Sequence, residues 1–549
     1  MKKYIFIIAA LAGMLLSSCS ESFLDVSSKT ESSTGTFYKT ENDAYRALVG
    51  CYDGWRQTVS SQGFALYLAA TVMSDETFGA TGNNDGRGFQ VVDRFDISQS
   101  SSDLNLFETE WGNYYAAIYR CNSLLNYEEQ IEWAETDSKR GLYMGECRAI
   151  RALLYFEMVR FWGNIPLVTV PENANIPESD AKEVYDLVIS DLKYAIANIP
   201  ANAYPKANAA SNDGHFTKYA AEALLARVYL YYTGIYGTEP SGLTKSEVLA
   251  GLEDVISSGE FSLIPEYKNL WPAASIKFAA EGYEMDEDGT TYAGDGNAET
   301  VLAMKFTSTQ DYNGNNDGNR WLVMMGMRNL SNSPYGQGWG ACTVNPAYLS
   351  AYKTGDTRRG ASVIDLEAEG ITSNEKWQDS VSDWREYTGY TVKKYTPLAF
   401  ADGTSAAKMD GTGDFQISQH QDYVVIRYAD VLLMAAELGS SNAQDYFDQV
   451  RKRAFGEAFT QVPVSQSAIM DERKAEFAFE GIRYWDLLRQ GIDVAAQTIA
   501  VSNVSVLSGG TDDSITILAE NIKAKKGLAQ KPYNQISLSN GTLTQNAGW

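Results

Sequence analysis

Helical periodicity brackets a long stretch in which it fails, and this interruption restricts the possible folds more than any other feature. Residues 41–59 carry Ala44, Leu48, Cys51 and Trp55 at helical spacing. Residues 104–127 repeat the pattern with Leu106, Trp111, Tyr115, Ile118, Leu124 and Leu125. Residues 140–162 do so with Tyr143, Cys147, Ile150, Leu154, Met158 and Phe161. Apolar positions three and four apart share one helix face, so each segment is predicted to be amphipathic helix. Gly163-Asn164-Ile165-Pro166 stops the third. Residues 180–199 are capped by Asp180 and ended by Pro200. Residues 217–232 place Ala220, Ala223, Leu224, Ala226 and Leu230 where small side chains let neighbours approach closely. Helix pairs of this size suggest tetratricopeptide-like packing and an extended binding surface, although the W-x2-L-G-x2-Y signature is not cleanly present. From 261 to 421 Gly, Asn, Asp, Ser and Thr dominate; Val301-Leu302-Ala303-Met304-Lys305-Phe306 reads as a strand between long loops, and 381–395 as another strand region. Loops this long are functional or disordered, and aromatic richness argues against disorder. Helix returns at 423–438, 442–455 and 467–491, and the chain after Ala495 is rich in Ser and Thr. The expectation is one mainly α body over 41–549. Its helical blocks at 41–260 and 422–495 enclose a loop-rich insertion, 261–421, with a few short strands.

The first residues concern targeting. Met1-Lys2-Lys3 precedes an apolar run of 13 residues from Tyr4 to Leu16. A spanning helix needs about 20, so the run fits a secretory leader. Leu16-Ser17-Ser18-Cys19 resembles a bacterial lipobox, implying diacylglycerol attachment to the Cys19 sulfur and cleavage before it; an ordinary signal peptide is the plainer alternative. Residues 1–18 are thus expected to be a lipoprotein signal peptide and 19–40 a polar, lipidated tether, anchoring the body to a membrane without embedding it. Acidic residues number 70 against 45 basic, a net charge of −25, which repels a phosphate backbone and excludes nucleic acid as a partner. Only His215 and His420 are present, too few for a histidine-rich metal site or relay. Cys51, Cys121, Cys147 and Cys342 are widely spaced with no CxxC, so buried free thiols are expected rather than disulfides or a zinc site.

Motifs that suggest catalysis have plainer readings. Glu472, Glu476 and Glu480 lie along one helix face, with Arg473, Arg483 and Arg489 nearby. A glycosidase needs two carboxyl groups facing each other across a sugar, about 5–9.5 Å apart, so a buried ion-pair network locking helices together is expected instead. Asp311-x-Asn313-x-Asn315-x-Asp317 echoes a calcium loop, but its Gly falls at Gly318 and Leu322 stands where the bidentate Glu belongs. A solvated turn is favoured over structural calcium there. No G-x-S-x-G or phosphate loop appears. No catalytic residue, metal or cofactor is expected.

The anchors Glu472, Arg473, Glu476, Glu480, Gly481, Arg483, Asp486, Leu487 and Arg489 resemble the ER..E...EG.R..DL.R block of the SusD/RagB family of outer-membrane lipoproteins. Ile426-Arg427-Tyr428-Ala429-Asp430, Arg148-Ala149-Ile150-Arg151 with the following Gly163-Asn164-Ile165-Pro166-Leu167, and Phe23-Leu24-Asp25 behind Cys19 resemble other family segments. So does the end, Gln545-Asn546-Ala547-Gly548-Trp549, with Ala where Pro is usual. The resemblance implies a right-handed scaffold of four tetratricopeptide-like units with a loop-rich ligand face. It also implies a non-catalytic role on the extracellular face of the outer membrane, capturing oligosaccharide or polysaccharide as the lid of a SusC-like TonB-dependent transporter. A peptide-import lid of the RagB type is the nearer alternative. A surface glycoside hydrolase, drawing on Asp75, Glu76, Asp85 or Asp286, is the more distant one. Sugar recognition uses aromatic faces for C–H groups and amides or carboxylates for hydroxyls. By regional correspondence with the family's platform, the expected contacts are Asn83, Asn84, Asp85, Arg87 and Phe89 in the first loop and Tyr283, Tyr292, Tyr312 and Trp321 in the middle loops. Trp271 and Trp339 read as loop anchors.

Overall fold

The long helices begin and end where side chains satisfy the backbone. A computed structural model describes residues 37–60, 64–136, 138–171, 175–209, 213–309, 311–312 and 317–549; the expected signal peptide, Cys19 and most of the tether lie outside them. Helix α1 (Glu41–Ser60) opens on a reciprocal cap: Asp43 N donates to Thr40 Oγ1 at 3.2 Å and Thr40 N to Asp43 Oδ2 at 2.9 Å. Helices α2 (Glu108–Asn126) and α3 (Arg140–Trp162) follow, the latter ended by Gly163 at φ +71°. In α4 (Ala181–Asn198), Lys182 N donates to Asp180 Oδ1 at 2.9 Å. The scaffold continues with α5 (Lys218–Tyr236), α6 (Lys245–Ser257), α7 (Tyr428–Glu437), α8 (Ala443–Phe455) and α9 (Gln466–Glu476). Helices pack as successive pairs, α1 with α2, α3 with α4, α5 with α6 and α7 with α8, and each pair rests on the next. Small residues set the spacing. A Cβ on Gly54 of α1 would meet Ala117 of α2 at 3.0 Å, and one on Gly145 of α3 would meet Ile199 at 2.7 Å. The fold is therefore mainly α and tetratricopeptide-like, as expected.

Strands that position the insertion are β1 (Thr77–Gly79), β2 (Thr300–Met304), β3 (Cys342–Val344) and β4 (Tyr423–Arg427). β1 pairs antiparallel with β3, Phe78 opposite Thr343, and β2 with β4, Met304 opposite Tyr423. The strand expected at 301–306 is β2. Its partner corrects the helix expected from 423: Val424, Val425 and Ile426 are β-branched and fit a pleated, buried surface, so helix begins only at Tyr428. The expected strand region 381–395 divides into a helix, Trp377–Asp383, and a strand, Tyr390–Val392, paired with Val363–Asp365. The Ser/Thr-rich tail forms a hairpin of β5 (Val501–Ser508) and β6 (Thr511–Ile517), turning at Gly509 and Gly510, both with positive φ.

The signature acids are structural. Glu476 accepts from Arg358 at 3.1 Å, from Arg427 at 2.9 Å and from Arg453. Glu480 accepts from Lys394 at 2.7 Å and from Arg427 at 2.9 Å, and Glu472 from Arg358 at 2.5 Å and Arg451 at 2.9 Å. The arginines hold the Glu476 carboxyl below its ordinary range despite full burial. This network ties α8 and α9 to the start of α7 and to the insertion. A second, smaller hydrophobic core lies within the insertion: Met327, Leu330, Ile364, Leu366, Trp377 and Trp384 pack with Ala80, separate from the main core.

Candidate functional site

The loop after β1 is fixed largely by its backbone, which leaves several of its side chains at the surface. Arg385 donates to the carbonyls of Asn83 (2.6 Å), Asp85 (2.9 Å) and Gly86 (3.1 Å). Asn83 N donates to Asp383 O at 2.8 Å. With the main chain held this way, Asn84, Asp85 and Arg87 are exposed and Asn83 is half-buried. Arg328 carries the surface onward. Its Nη1 lies 3.4 Å from Asp85 Oδ2 and its Nε 2.9 Å from Asp383 Oδ2, which also accepts from Asn329 Nδ2 at 2.7 Å. Arg328 Nη1 donates as well to Trp339 O at 3.4 Å.

Trp339 is half-buried, and the Arg320 guanidinium lies 5.9 Å from its ring centroid. Burial lowers the Arg320 pKa, while Tyr312 and Asp414 act on it in the opposite sense. Tyr312 is 67% exposed and its hydroxyl donates to Asp414 at 3.0 Å. Tyr283, also exposed, meets Phe400 edge-on at 5.0 Å and lies against Gly411, where any Cβ would collide with its ring. Tyr283 and Tyr312 thus flank the segment 411–414. Asn83, Asp85, Arg328, Trp339, Arg320, Tyr312 and Asp414 form a chain of neighbours: amides, carboxylates and guanidinia bordering aromatic rings. Such a surface offers flat apolar faces beside donors and acceptors.

Tyr292 keeps different company. Its hydroxyl donates to Asp295 Oδ1 at 2.6 Å, and burial, reinforced by Asp295 and Asp422, raises its pKa. Asp422 also pairs with Lys305, which reaches Asp213 at 2.5 Å. Asp213 and Lys305 border a cleft of about 390 Å³ with Tyr45, Trp55 and Arg56.

Two expected contacts are overturned. Trp321 is 1% exposed, packed against Tyr395 at 4.8 Å and Tyr423 at 5.1 Å. Phe89 is buried in a short helix, Gly88–Arg94, against Phe64 at 4.4 Å. A ring covered by protein has no face for a sugar. Trp339, read as a loop anchor, packs against the main core and is only half-buried beside Arg320; Arg328, Asp383, Arg320 and Asp414, which border the same surface, were not among the expected contacts. The glycines on either side of Trp339 serve close packing: a Cβ on Gly338 would meet Gly326 at 2.4 Å, and one on Gly340 would meet Trp384 at 2.6 Å.

Asp75 is buried between Arg483 (2.7 Å) and Lys474 (3.0 Å). Glu76 is fully buried, its pKa pushed up to about 8 by desolvation. Neither can reach a substrate. Of the calcium-like run, residues 313–316 lie outside the described residues, and Asp317 pairs with Arg56 at 2.8 Å. The four thiols are free and buried, as expected. Three of them, however, converge where α1, α2 and α3 meet: the sulfurs of Cys51, Cys121 and Cys147 all lie within 4.8 Å of one another. Their spacing in sequence concealed this. No helix among the described residues is long and apolar enough to cross a membrane.

Comparison with known proteins agrees with this architecture. The sequence model of the SusD family matches residues 366–549, and one described as "Starch-binding associating with outer membrane" matches residues 22–230. A SusD-like protein of Formosa agariphila is 25% identical over 91% of this chain and 92% of its own length; one of Bacteroides ovatus is 24% identical over 89% and 82%. Among solved structures, a laminarin-binding SusD-like protein superposes with a TM-score of 0.69 at 25% identity, covering 93% of this chain and all of its own. Surface glycan-binding protein A of Bacteroides thetaiotaomicron, in complex with laminarihexaose, gives 0.70 at 22% identity, covering 92% and 100%.

Proposed function

The chain belongs to the SusD/RagB family, and we propose that it is a non-catalytic glycan-binding lipoprotein of the cell surface whose ligand lies along the arc from Asn83 to Asp414. The observation that carries this reading is the grouping of exposed or half-buried rings, Trp339 and Tyr312, with Arg320, Arg328, Asp85 and Asn83 on the face built by the insertion. Rings supply the C–H contacts, and the polar groups select hydroxyl positions. The burial of Asp75 and Glu76 removes two of the four carboxylates that a hydrolase reading would draw on. Family membership and the leader with Cys19 support lipid anchoring on the extracellular face of the outer membrane, and pairing as a lid with a SusC-like TonB-dependent transporter. The likeness to a laminarin-binding relative makes β-glucan the first ligand to try.

Affinity electrophoresis through gels containing plant, fungal and host polysaccharides tests the proposal. Retardation by one glycan, lost in Trp339→Ala or Tyr312→Ala, is the expected result. Absence of retardation by every glycan, together with capture of peptides from a library, would replace glycan by peptide as the cargo.

A further inference from the structure

A cavity of about 570 Å³ opens between the end of α3, the start of α4 and the C-terminal segment, lined by none of the residues of the arc. Its walls are cationic in a chain whose net charge is −25: Arg160, Lys182, Lys525, Lys526 and Lys531 border it, against Glu178 and Asp180. Glu178 is committed to Lys531 at 2.6 Å, and Asp180 to the α4 cap.

Two of these cations are buried without a hydrogen-bonded counter-ion: Glu157 acts on Arg160 and Asp96 on Lys525 only at longer range. Arg160 is 6% exposed and Lys525 7%. Among the described residues neither side chain makes a hydrogen bond or ion pair. Arg160 instead lies over the rings of Phe156 at 4.0 Å and Trp485 at 4.5 Å, and its Nε has no partner. Lys525 lies 5.1 Å from the Trp549 ring. The nearest candidate for Arg160, Glu157, accepts instead from the hydroxyls of Tyr67 and Tyr114. Desolvation lowers the pKa of both cations. By contrast, the buried arginines around Glu476 are paired with carboxylates, and buried Arg385 is satisfied by backbone carbonyls. A buried charge ordinarily has a partner, and here both residues line one cavity.

We propose that this cavity is an oxyanion site in which Arg160 and Lys525 together bind a sulfate, phosphate or carboxylate group, either as a free anion or carried on a small sugar. Guanidinium and ammonium groups donate to such oxygens with charge assistance, and the aromatic floor under Arg160 keeps water from competing.

Isothermal titration of the purified chain at constant chloride tests this, with sodium sulfate, glucose 6-sulfate, glucuronate and glucose as probes. Saturable binding of an anion, absent with glucose and at least tenfold weaker in Arg160→Gln and Lys525→Met, is the expected result. Tighter binding of the sugar-borne group assigns the cavity to an acidic saccharide, and tighter binding of sulfate to the free ion. Without anion, both variants should melt no lower than the parent, because each removes an unpaired buried charge; a merely structural cation would lower the melting temperature. Unaltered anion affinity in Lys525→Met, or heats no larger than those of equimolar chloride, would overturn the proposal even if Arg160→Gln failed to fold.

Discussion

Trp321→Ala and Trp339→Ala should separate core from ligand face. The Trp321 ring is 1% exposed and packs on Tyr395 and Tyr423. Removing roughly 200 Å² of buried aromatic surface at about 25 cal/mol/Å² gives ~5 kcal/mol, and comparable truncations cost about 3–5 kcal/mol. The indole N–H has no acceptor; its loss relieves part of a penalty of about 1–3 kcal/mol, so the lower figure, ~3 kcal/mol, is expected. Unfolding entropy near 2.1 cal/mol/K per residue amounts to ~1 kcal/mol/K for a chain of this length. The melting temperature should therefore fall by about 3 °C. Trp339 is less deeply buried but still packs against the main core, so the same rate gives a smaller loss of ~2–3 kcal/mol and a fall of about 2 °C, while its removal also takes away a stacking contact of ~0.5–1.5 kcal/mol, a loss of about twofold to tenfold in affinity. Scanning calorimetry and affinity electrophoresis on both variants read the two effects. Loss of glycan retardation in Trp321→Ala with unchanged melting would refute the reasoning, because it would require that ring to meet ligand.

Three further outcomes follow. Glu476→Ala leaves Arg358, Arg427 and Arg453 short of a carboxylate, which should cost about 3–5 kcal/mol and lower the calorimetric Tm by a few degrees; a shift below 1 °C would contradict it. The same arginines hold Glu476 below its ordinary range, so its contribution is fully present above that range and is lost as the pH falls below it towards the lowered value of the folded state. Glu76 has the opposite sign: raised to about 8, it contributes stability at low pH that declines as the pH rises from the ordinary carboxylate range to about 8. Glu76→Gln should flatten Tm between pH 5 and 8 relative to the parent. Finally, Cys51, Cys121, Cys147 and Cys342 should resist alkylation in the native protein and all react after unfolding, counted by mass spectrometry; native labelling of any of them would place it outside the core.

The scaffold was largely legible in the sequence, and the ligand face only in part. Helix boundaries could be read because Asp180, Gly163 and Pro200 act locally, and the Glu/Arg block because acids spaced four apart cannot clamp a substrate. The strand at 423–427 was misread because a short apolar run has the same texture in a strand as in a buried helix, and its partner lies over a hundred residues away. Trp321 was taken for a platform although Leu322-Val323-Met324-Met325 beside it leaves no polar face, which is the signature of core. Arg328 and Asp383 were invisible because they meet only when the loop after β1, the segment Met327–Arg328 and the helix Trp377–Asp383 converge. Tertiary coincidences of this kind, like the meeting of three cysteines, leave no mark on local spacing.

The second hydrophobic core has a dynamic consequence. The first half of the arc, from Asn83 through Arg328 to Asp383, rests on Trp384, Met327 and Leu330 and not on the helical stack. A separately packed cluster of this size can open as its own cooperative unit, below the free energy of global unfolding. Amide exchange in residues 327–387 should accordingly be faster than in α3 or α5 and should slow when ligand is held. Substitutions that reshape those loops then draw on the stability of the small cluster alone, so the recognition surface can drift toward a new saccharide while the stack beneath it keeps its folding thermodynamics.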